Sequence, residues 1–390
     1  MKKISIFAML IVMAASCDRS WIDTAALDGV CAAVFAPSGS IAPEPGGAEP
    51  AGWPQGPDTA QGQPGAAVLV MKGDKVVFEK CYGLADLETG APITPETSFN
   101  IASVSKQFTA VAVLQLCEQG KISLEDNVNK YFPEFTDPIW DRIKVRHLLA
   151  HSSGIPDARK GYTREERLLA DDVRAIEYLP KLNFLHFEPG TQYEYMNPTF
   201  VLAGSLVERV TGQPFTDYVA EHIFAPAGMD RTRYFDPDAQ ELIPNMSHGY
   251  VLREGEWRER DYGEESFFAT RPDGGIYTSV REFAKWELAQ RGNMVLKAET
   301  LLDAQSPKTL VSGSSFSDYQ NRDNTWYGYG WFIEPQTADS EKVVYHTGDN
   351  GGFMILAARY PESETLVLVF ANRCDWDRYR LMQDIERLVL

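Results

Sequence analysis

Patterns typical of β-strands lie near the start and near the end of residues 66–390, and helical patterns lie between them. Residues 66–82 form two apolar runs around the turn Lys72-Gly73-Asp74, which predicts a β-hairpin. Further strands are predicted over residues 327–333, 343–347, 353–359 and 365–371. Helices are predicted over residues 103–119, 199–210, 281–291 and 376–390. The predicted fold class is therefore α/β (α+β), with an antiparallel β-sheet that is flanked by helices and built from both ends of the domain.

The middle of the chain, about residues 121–260, has frequent prolines between short helical patterns, among them Pro133, Pro156 and Pro189. Because proline interrupts helices, this part is predicted to form a mainly helical subdomain with many loops. We expect a cleft between this subdomain and the sheet. A hydrophobic content of 44% over 390 residues is enough to bury such a core.

The first residues resemble an export signal. Lys2 and Lys3 precede an apolar run over residues 4–15, which is too short to span a bilayer comfortably. Residues 14–17 also resemble a bacterial lipobox without its usual leucine, so Cys17 is a candidate for lipidation, and simple secretion is the alternative. We expect an exported, periplasmic protein that meets a membrane only through this N-terminal lipid anchor.

Residues 18–64 are predicted to be a linker between residues 1–17 and the folded domain. Residues 37–65 hold seven prolines and seven glycines in 29 positions, which is too many for a packed element. The folded domain is predicted to cover residues 65–390.

Charge and cysteine spacing exclude several classes of partner. The net charge is −18 and no dense cluster of Lys and Arg occurs, so nucleic acid and anionic lipid surfaces are poor partners. The five cysteines are far apart, with no spacing typical of a metal site. An oxidising compartment would allow two disulfides, but nothing in the sequence fixes a pairing.

Ser103 opens an almost wholly apolar helical pattern, and Lys106 follows three residues later. Positions i and i+3 share a helix face, so the Lys106 amine can reach the Ser103 hydroxyl and act as its proton partner. The amide of Ser103, in the first turn, has no intrahelical acceptor and can face a developing negative charge. The spacing alone is common by chance, so the prediction depends on two further motifs.

The second motif is Tyr195-Met196-Asn197. Pro198 favours an extended conformation at Asn197, and residues two apart in an extended segment point the same way. A phenolate stabilised by a lysine can act as a general base, and the carboxamide can hold a substrate carbonyl. The alternative is a buried tyrosine with a satisfied hydroxyl.

The third motif, His346-Thr347-Gly348, ends a predicted strand and precedes Asp349. The glycine would let a substrate backbone approach the strand edge closely. The amide of Asp349 could complete an oxyanion hole with the amide of Ser103.

Two other motifs suggest different chemistry. His147 and His151 have the i, i+4 spacing of metal ligands, but neither a glutamate after His147 nor a third ligand is evident, so structural or loop-fixing roles are favoured. Residues 150–154 partly resemble a nucleophile elbow at Ser152, without its leading glycine or a preceding strand.

The order, spacing and flanks of the three main motifs resemble the serine β-lactamase and penicillin-binding protein superfamily, especially class C β-lactamases and their esterase and peptidase relatives. The resemblance covers residues 65–390 and includes residues 64–67, 82–86, 99–110, 147–154, 223–229 and 273–279. It implies a β-lactamase/transpeptidase-like fold. It also implies a small-molecule substrate, an ester, an amide, a β-lactam or a peptide, and no metal or organic cofactor.

The resemblance assigns roles to eight residues. It implies Ser103 as the acylated nucleophile, Lys106 as its proton partner and Tyr195 as the base. The substrate would be held by the remaining residues, Asn197, His346, Thr347, Gly348 and Asp349. A non-catalytic penicillin-recognising envelope protein, a sensor or scaffold, is the alternative, although such a protein would not need Ser103, Lys106 and Tyr195 together.

One departure from the family pattern concerns the substrate. β-Lactamases of this branch usually carry lysine at the position of His346, and family peptidases with histidine there add an arginine on the neighbouring strand. Residues 327–334 contain no arginine. We therefore expect an ester or amide substrate without a terminal carboxylate, in an apolar cleft formed by four aromatic residues, Trp326, Tyr327, Trp331 and Phe353.

Overall fold

The computed structural model of the protein describes residues 22–35, 62–161, 163, 166, 171–236, 243–260, 270–311 and 324–390. The predicted export signal, with Cys17, and residues 36–61 of the predicted linker lie outside the described residues. Within those ranges, no helix is both long and apolar enough to cross a bilayer.

The described strands are β1 Ala66–Lys72, β2 Lys75–Tyr82, β3 Leu84–Asp86, β4 Ala91–Pro92, β5 Phe99–Asn100, β6 Arg233–Tyr234, β7 Tyr250–Arg253, β8 Glu256–Glu259, β9 Ile276–Thr278, β10 Thr309–Leu310, β11 Trp326–Tyr327, β12 Phe332–Glu334, β13 Val343–Asn350, β14 Phe353–Tyr360 and β15 Thr365–Ala371. The described α-helices are α1 Thr24–Phe35, α2 Lys106–Glu118, α3 Val145–Leu149, α4 Asp172–Ile176, α5 Asn197–Thr211, α6 Phe215–Val219, α7 Ala225–Ala227, α8 Arg271–Gly274, α9 Val280–Arg291, α10 Ala298–Ala304 and α11 Arg378–Val389. Shorter 3-10 turns cover Ala102–Ser105, Val128–Lys130, Pro138–Asp141, Ala158–Gly161 and Leu179–Lys181, and a π-helix covers Ala220–Phe224.

An antiparallel sheet of eight strands, in the order β10-β11-β12-β13-β14-β15-β1-β2, forms the centre of the fold. β1 pairs with β15 from the other end of the chain, with Ala66 opposite Ala371. Every residue of β15 is buried, and because alternate side chains point to opposite faces, both faces of this strand are covered. On one face the Phe283 ring of α9 packs against Phe370, with ring centres 5.7 Å apart. The predicted α/β fold, with an antiparallel sheet flanked by helices, is confirmed.

The predicted strand over residues 327–333 is interrupted. β11 ends at Tyr327 and β12 begins at Phe332, and a turn between them contains Gly330 with φ +94°. A Cβ at Gly330 would lie 2.9 Å from the Cβ of Ala110, so the turn packs directly on α2. The alternation of aromatic and glycine residues resembles a strand in sequence, but the positive φ of Gly330 breaks the strand and lets the chain turn against α2.

The region over residues 121–260 contains α3 to α7, and also β6 and the hairpin of β7 and β8. α5 covers the helix predicted over 199–210 and ends where Gly212 adopts φ +71°. α2 and α5 pack on each other, which joins the helical region to the site that begins at α2.

α1 corrects the prediction that residues 18–64 are only a linker. Its Leu27, Cys31 and Phe35 are spaced four residues apart, lie on one face of the helix and are buried. The Phe35 ring packs edge-on against Trp376, with ring centres 5.0 Å apart, and Tyr82 Oη donates to Asp28 Oδ1 at 2.7 Å. Val30 and Val34 also pack against the core while remaining partly exposed. The proline-rich sequence that follows this helix led to its prediction as part of the linker.

The four described cysteines, Cys31, Cys81, Cys117 and Cys374, have free thiols, so no disulfide links the described parts of the chain. Burial raises the pKa of Cys31 and of Cys81 to about 12. These two thiols are therefore poorly reactive near neutral pH.

Phe35→Ala tests whether α1 belongs to the folded domain. Removing this buried ring leaves a cavity against Trp376, so we expect the free energy of unfolding to fall by about 3 kcal/mol. Urea denaturation measures this change, and Val34→Ala, at a partly exposed position of the same helix, should cost less than about 1 kcal/mol. Equal stability of Phe35→Ala and wild type would mean that α1 is not part of the core.

Candidate active site

Ser103 lies on the 3-10 turn Ala102–Ser105, which leads directly into α2. Side chains three residues apart eclipse each other on such a turn, so Lys106 stands over Ser103. Lys106 Nζ lies 2.9 Å from Ser103 Oγ. Ser103 is partly exposed while Lys106 is fully buried. The structure thus brings together the two side chains whose spacing predicted contact.

The backbone just before Ser103 is strained and held from two sides. Ala102 has φ +46°, in the left-handed region that costs a non-glycine residue about 1 kcal/mol. Asn100 Oδ1 accepts a hydrogen bond from the Ala102 N–H at 2.9 Å. On the other side, a Cβ at Gly348 of β13 would lie 2.3 Å from the carbonyl oxygen of Ile101. The structure therefore gives Gly348 a role that the sequence did not predict, because it admits the turn that carries Ser103.

The Lys106 amine is enclosed by groups from several elements. Its Nζ donates to the main-chain oxygen of Asp273 in α8 at 2.7 Å. It also lies 5.0 Å from the ring centre of Tyr195 and 5.7 Å from that of Phe200. An amine buried without such partners would cost several kcal/mol, so these contacts are what permit Lys106 to lie beside Ser103.

Tyr195 and Asn197 both reach the site, but not in the predicted conformation. The prediction that Pro198 keeps Asn197 extended is wrong, since α5 begins at Asn197 and proline is well tolerated in a first helical turn. Asn197 nonetheless lines the same cavity as Ser103. Within the described ranges, nothing donates a hydrogen bond to the buried Oδ1 of Asn197, which is therefore open to a ligand N–H.

His346 lies beneath the cavity surface rather than on it. Its Nδ1 is 2.6 Å from the Thr347 carbonyl oxygen, which can only accept, so Nδ1 carries the proton and Nε2 accepts from Tyr327 Oη at 2.9 Å. Burial, with a further contribution from the charge of Lys106, lowers the pKa of His346 to about 3. Thr347 is buried as well. A neutral, enclosed imidazole cannot replace the fixed positive charge of a lysine at this position.

The end of β13 reaches the cavity through Asp349 instead. The Asp349 carboxylate forms a two-point ion pair with Arg378 of α11, at 2.6 and 3.0 Å. Arg378 is almost wholly buried and also donates to the Ile355 carbonyl oxygen, so the pair fixes the strand end. Asp349, held in this way, lines the same cavity as Ser103.

The cavity at Ser103 has a volume of about 350 Å³ and a mostly polar wall. Its described wall consists of Ala102, Ser103, Asn197, Arg260, Thr270, Asp273, Gly274, Asp349, Asn350 and Gly351. The predicted apolar cleft is not found on this wall. Three of the four aromatic residues predicted for it, Tyr327, Trp331 and Phe353, are buried in the core.

Seven of the ten described wall residues were not predicted as members of the site, among them the charged residues Asp273 and Arg260. Asp273 lies in the segment 273–279 that carried part of the family resemblance, so a signal for it existed. Arg260 follows β8 and brings a positive charge to the cavity. The family pattern instead has an arginine on the strand that corresponds to residues 327–334. Nothing in the sequence around Arg260 indicated this position.

The structure does not support metal or nucleophile roles for the second set of motifs. His147 and His151 each use Nδ1 to accept a main-chain N–H at 3.1 Å, from Lys144 and from Met196. No group of three potential metal ligands converges within the described ranges. Ser152 is buried in the turn after α3, where its main chain bonds to His147 and Gly190.

The fold and the serine–lysine pair at a helix start are those of the β-lactamase and penicillin-binding protein superfamily. A family model described as Beta-lactamase matches residues 50–389, so the chain belongs to the beta-lactamase family. The predicted membership of the β-lactamase and penicillin-binding protein superfamily is therefore confirmed.

Known proteins of several kinds resemble the chain. Protein flp of Staphylococcus aureus (strain MW2) is 30% identical over 315 residues, which cover 79% of this chain and 59% of flp. The chain thus spans about three fifths of the length of flp. Penicillin-binding protein 4* of Bacillus subtilis (strain 168) is 25% identical, with coverage of 78% and 67%. Among solved structures, a penicillin-binding protein from Bacillus halodurans superposes with a TM-score of 0.71 and 29% identity, with coverage of 83% and 95%.

His346→Gln should reduce the acid sensitivity of folding. Between the pKa of about 3 in the folded protein and the ordinary value of 6.5, the unfolded chain binds more protons, so stability falls as the pH falls. From pH 7 to pH 5 this side chain should remove about 2 kcal/mol from the free energy of unfolding of wild type but not of the variant.

Urea denaturation at the two pH values measures the difference. His222→Gln, at a partly exposed position, is the control for loss of a histidine and should keep the wild-type dependence. An equal loss of stability in wild type and His346→Gln would contradict the neutral, buried state of His346.

Proposed function

We propose that this protein is a hydrolase that cleaves a polar ester or amide through an acyl-enzyme on Ser103. The observation that carries the proposal is the 2.9 Å contact between the buried Lys106 amine and the hydroxyl of Ser103, which faces a polar cavity. A serine hydroxyl becomes nucleophilic only when an adjacent group takes its proton, and the Lys106 amine, which also lies 5.0 Å from the ring centre of Tyr195, is placed to stabilise such a base. The family resemblance supports the same assignment.

In the proposed reaction, Tyr195 acts as the base and Lys106 stabilises its phenolate. Ser103 Oγ passes its proton to Tyr195 and bonds to the substrate carbonyl carbon, and the carbonyl oxygen takes up the negative charge facing the amides of Ser103 and Asp349. When the intermediate collapses, the leaving group takes the proton from Tyr195. Water then attacks the acyl-enzyme by the same steps and releases Ser103. Asn197 Oδ1 accepts an N–H or O–H of the substrate.

The charges around the cavity support a substrate that lacks a carboxylate along β13. His346 is neutral and enclosed, and Arg378 is already paired with Asp349. The cation on the described wall is Arg260, which adds positive charge on the side of the cavity next to β8. The polar wall favours an amide or a polar ester over a long apolar acyl chain.

Ser103→Ala should abolish covalent labelling by a fluorescent fluorophosphonate or a fluorescent penicillin. The second variant, Tyr195→Phe, should keep the fold and lower the hydrolysis of p-nitrophenyl butyrate at least about 100-fold, the typical effect of losing a general base. Gel fluorescence and absorbance assays measure the two effects.

Each negative outcome of these assays has a defined meaning. Equal labelling of wild type and Ser103→Ala would remove Ser103 as the nucleophile, and a loss below tenfold in Tyr195→Phe would remove Tyr195 as the base. Labelling by penicillin without turnover of esters, amides, β-lactams or D-alanyl peptides would favour the non-catalytic, penicillin-recognising alternative.

We also propose that the protein is exported to the periplasm and anchored by lipid on Cys17. The support is the sequence of residues 1–17 alone. Mass spectrometry of the mature N-terminus of the full chain, expressed in a bacterial host, should find a diacylated Cys17. Cleavage at another position, which leaves a mature N-terminal residue without lipid, would indicate simple secretion.

A further inference from the structure

His151 accepts hydrogen bonds, through its main chain and its side chain, from the residues on both sides of Tyr195. The His151 carbonyl oxygen accepts the N–H of Glu194 at 2.9 Å, and His151 Nδ1 accepts the N–H of Met196 at 3.1 Å. The residues on both sides of Tyr195 are therefore tied to one histidine from a different segment of the chain. Main-chain bonds at both neighbours leave the Cα of Tyr195 little freedom to move.

The imidazole ring of His151 also covers the Tyr195 ring. The two ring centres are 4.2 Å apart at an angle of 37°. Phe200 and Tyr327 pack around the same imidazole, with ring centres at 5.0 and 4.7 Å, and His151 is fully buried. The imidazole thus packs against the Tyr195 ring, and the Lys106 amine lies 5.0 Å from the centre of the same ring.

His151 stays uncharged in this position. Because Nδ1 accepts a hydrogen bond, the single proton of the neutral ring is on Nε2. Burial, with added repulsion from Lys106 and His346, lowers the pKa of His151 well below its ordinary value of 6.5. The ring therefore adds no second positive charge beside the amine of Lys106.

The backbone at His151 has a conformation that needs an explanation. Its φ of +51° lies in the left-handed region, where a non-glycine residue costs about 1 kcal/mol. In addition, no hydrogen-bond partner for the buried Nε2 occurs among the residues that the structure describes. A residue that only fills the core would need neither the strained backbone nor the unpartnered nitrogen. The requirement to direct an imidazole ring at Tyr195 explains both.

We propose that His151 is a positioning residue that holds the Tyr195 phenol in the orientation needed to take the proton of Ser103. This inference rests on the proposed function of Tyr195 as the base. His151 is not among the described residues of the cavity wall and packs on Tyr195, so its effect on the reaction passes through Tyr195.

The test compares His151→Asn with a matched control, His147→Asn. Asparagine keeps an acceptor close to the position of Nδ1 and tolerates positive φ, but it removes the ring over Tyr195. His147 is also buried, also accepts a main-chain N–H at 3.1 Å and also has an unpartnered Nε2 among the described residues, yet it packs on Lys144 and Gly190 rather than on Tyr195.

For His151→Asn we expect the kcat for p-nitrophenyl butyrate to fall about tenfold or more, because a misplaced general base loses its alignment with the proton. KM should change less than about threefold, and the pH profile of fluorophosphonate labelling of Ser103 should shift. His147→Asn should keep both the wild-type kcat and the wild-type pH profile per folded molecule. Thermal melting monitors folding of both variants.

A second measurement separates failure of this inference from failure of the proposed function. In protein labelled with ¹³Cζ-tyrosine, the Tyr195 resonance, assigned with Tyr195→Phe, should move in His151→Asn and not in His147→Asn. An unmoved resonance and an unchanged pH profile in folded His151→Asn would overturn the positioning role. If wild-type Ser103 is not labelled, the proposed function fails, while a moved resonance still supports His151 as the residue that orients Tyr195.

Discussion

The buried amine of Lys106 is the point on which the rest of the site depends. It contacts the hydroxyl of Ser103, the main-chain oxygen of Asp273 and the ring of Tyr195, which belong to three separate segments. An amine removed from water must be surrounded by such groups, so its burial is stable only when α2, α8 and the segment before α5 are all in place. Assembly of the cavity is thus coupled to formation of the core.

The same charge sets the electrostatics of the histidines nearby. His346 and His151 are both buried and both subject to repulsion from Lys106, which adds to the effect of burial in lowering their pKa values. Each therefore acts through hydrogen bonds and ring contacts as a neutral group. The positive charge on the described wall comes from Arg260, which follows β8 and does not belong to the strand where the family pattern would place it.

Much of the fold could be predicted because its signals are local. The apolar runs of β1 and β15 indicate buried strands whatever their partners, and the Ser103–Lys106 spacing predicts contact within one helical turn. Contacts between distant segments gave no such signal. α1 shows its buried face only once Phe35 packs against Trp376, and the turn at Gly330 packs against α2, which is far away in sequence.

The sequence by itself determined which chemical groups the protein has and the order in which the chain presents them, with Ser103, Lys106, Tyr195 and Asn197 at the spacings that short-range geometry requires. Only the tertiary structure decided which of them face the cavity. It encloses His346, turns the aromatic residues into the core and brings Arg260 to the wall. The physical reason is that exposure and charge state depend on packing between segments far apart in sequence, which no local pattern encodes.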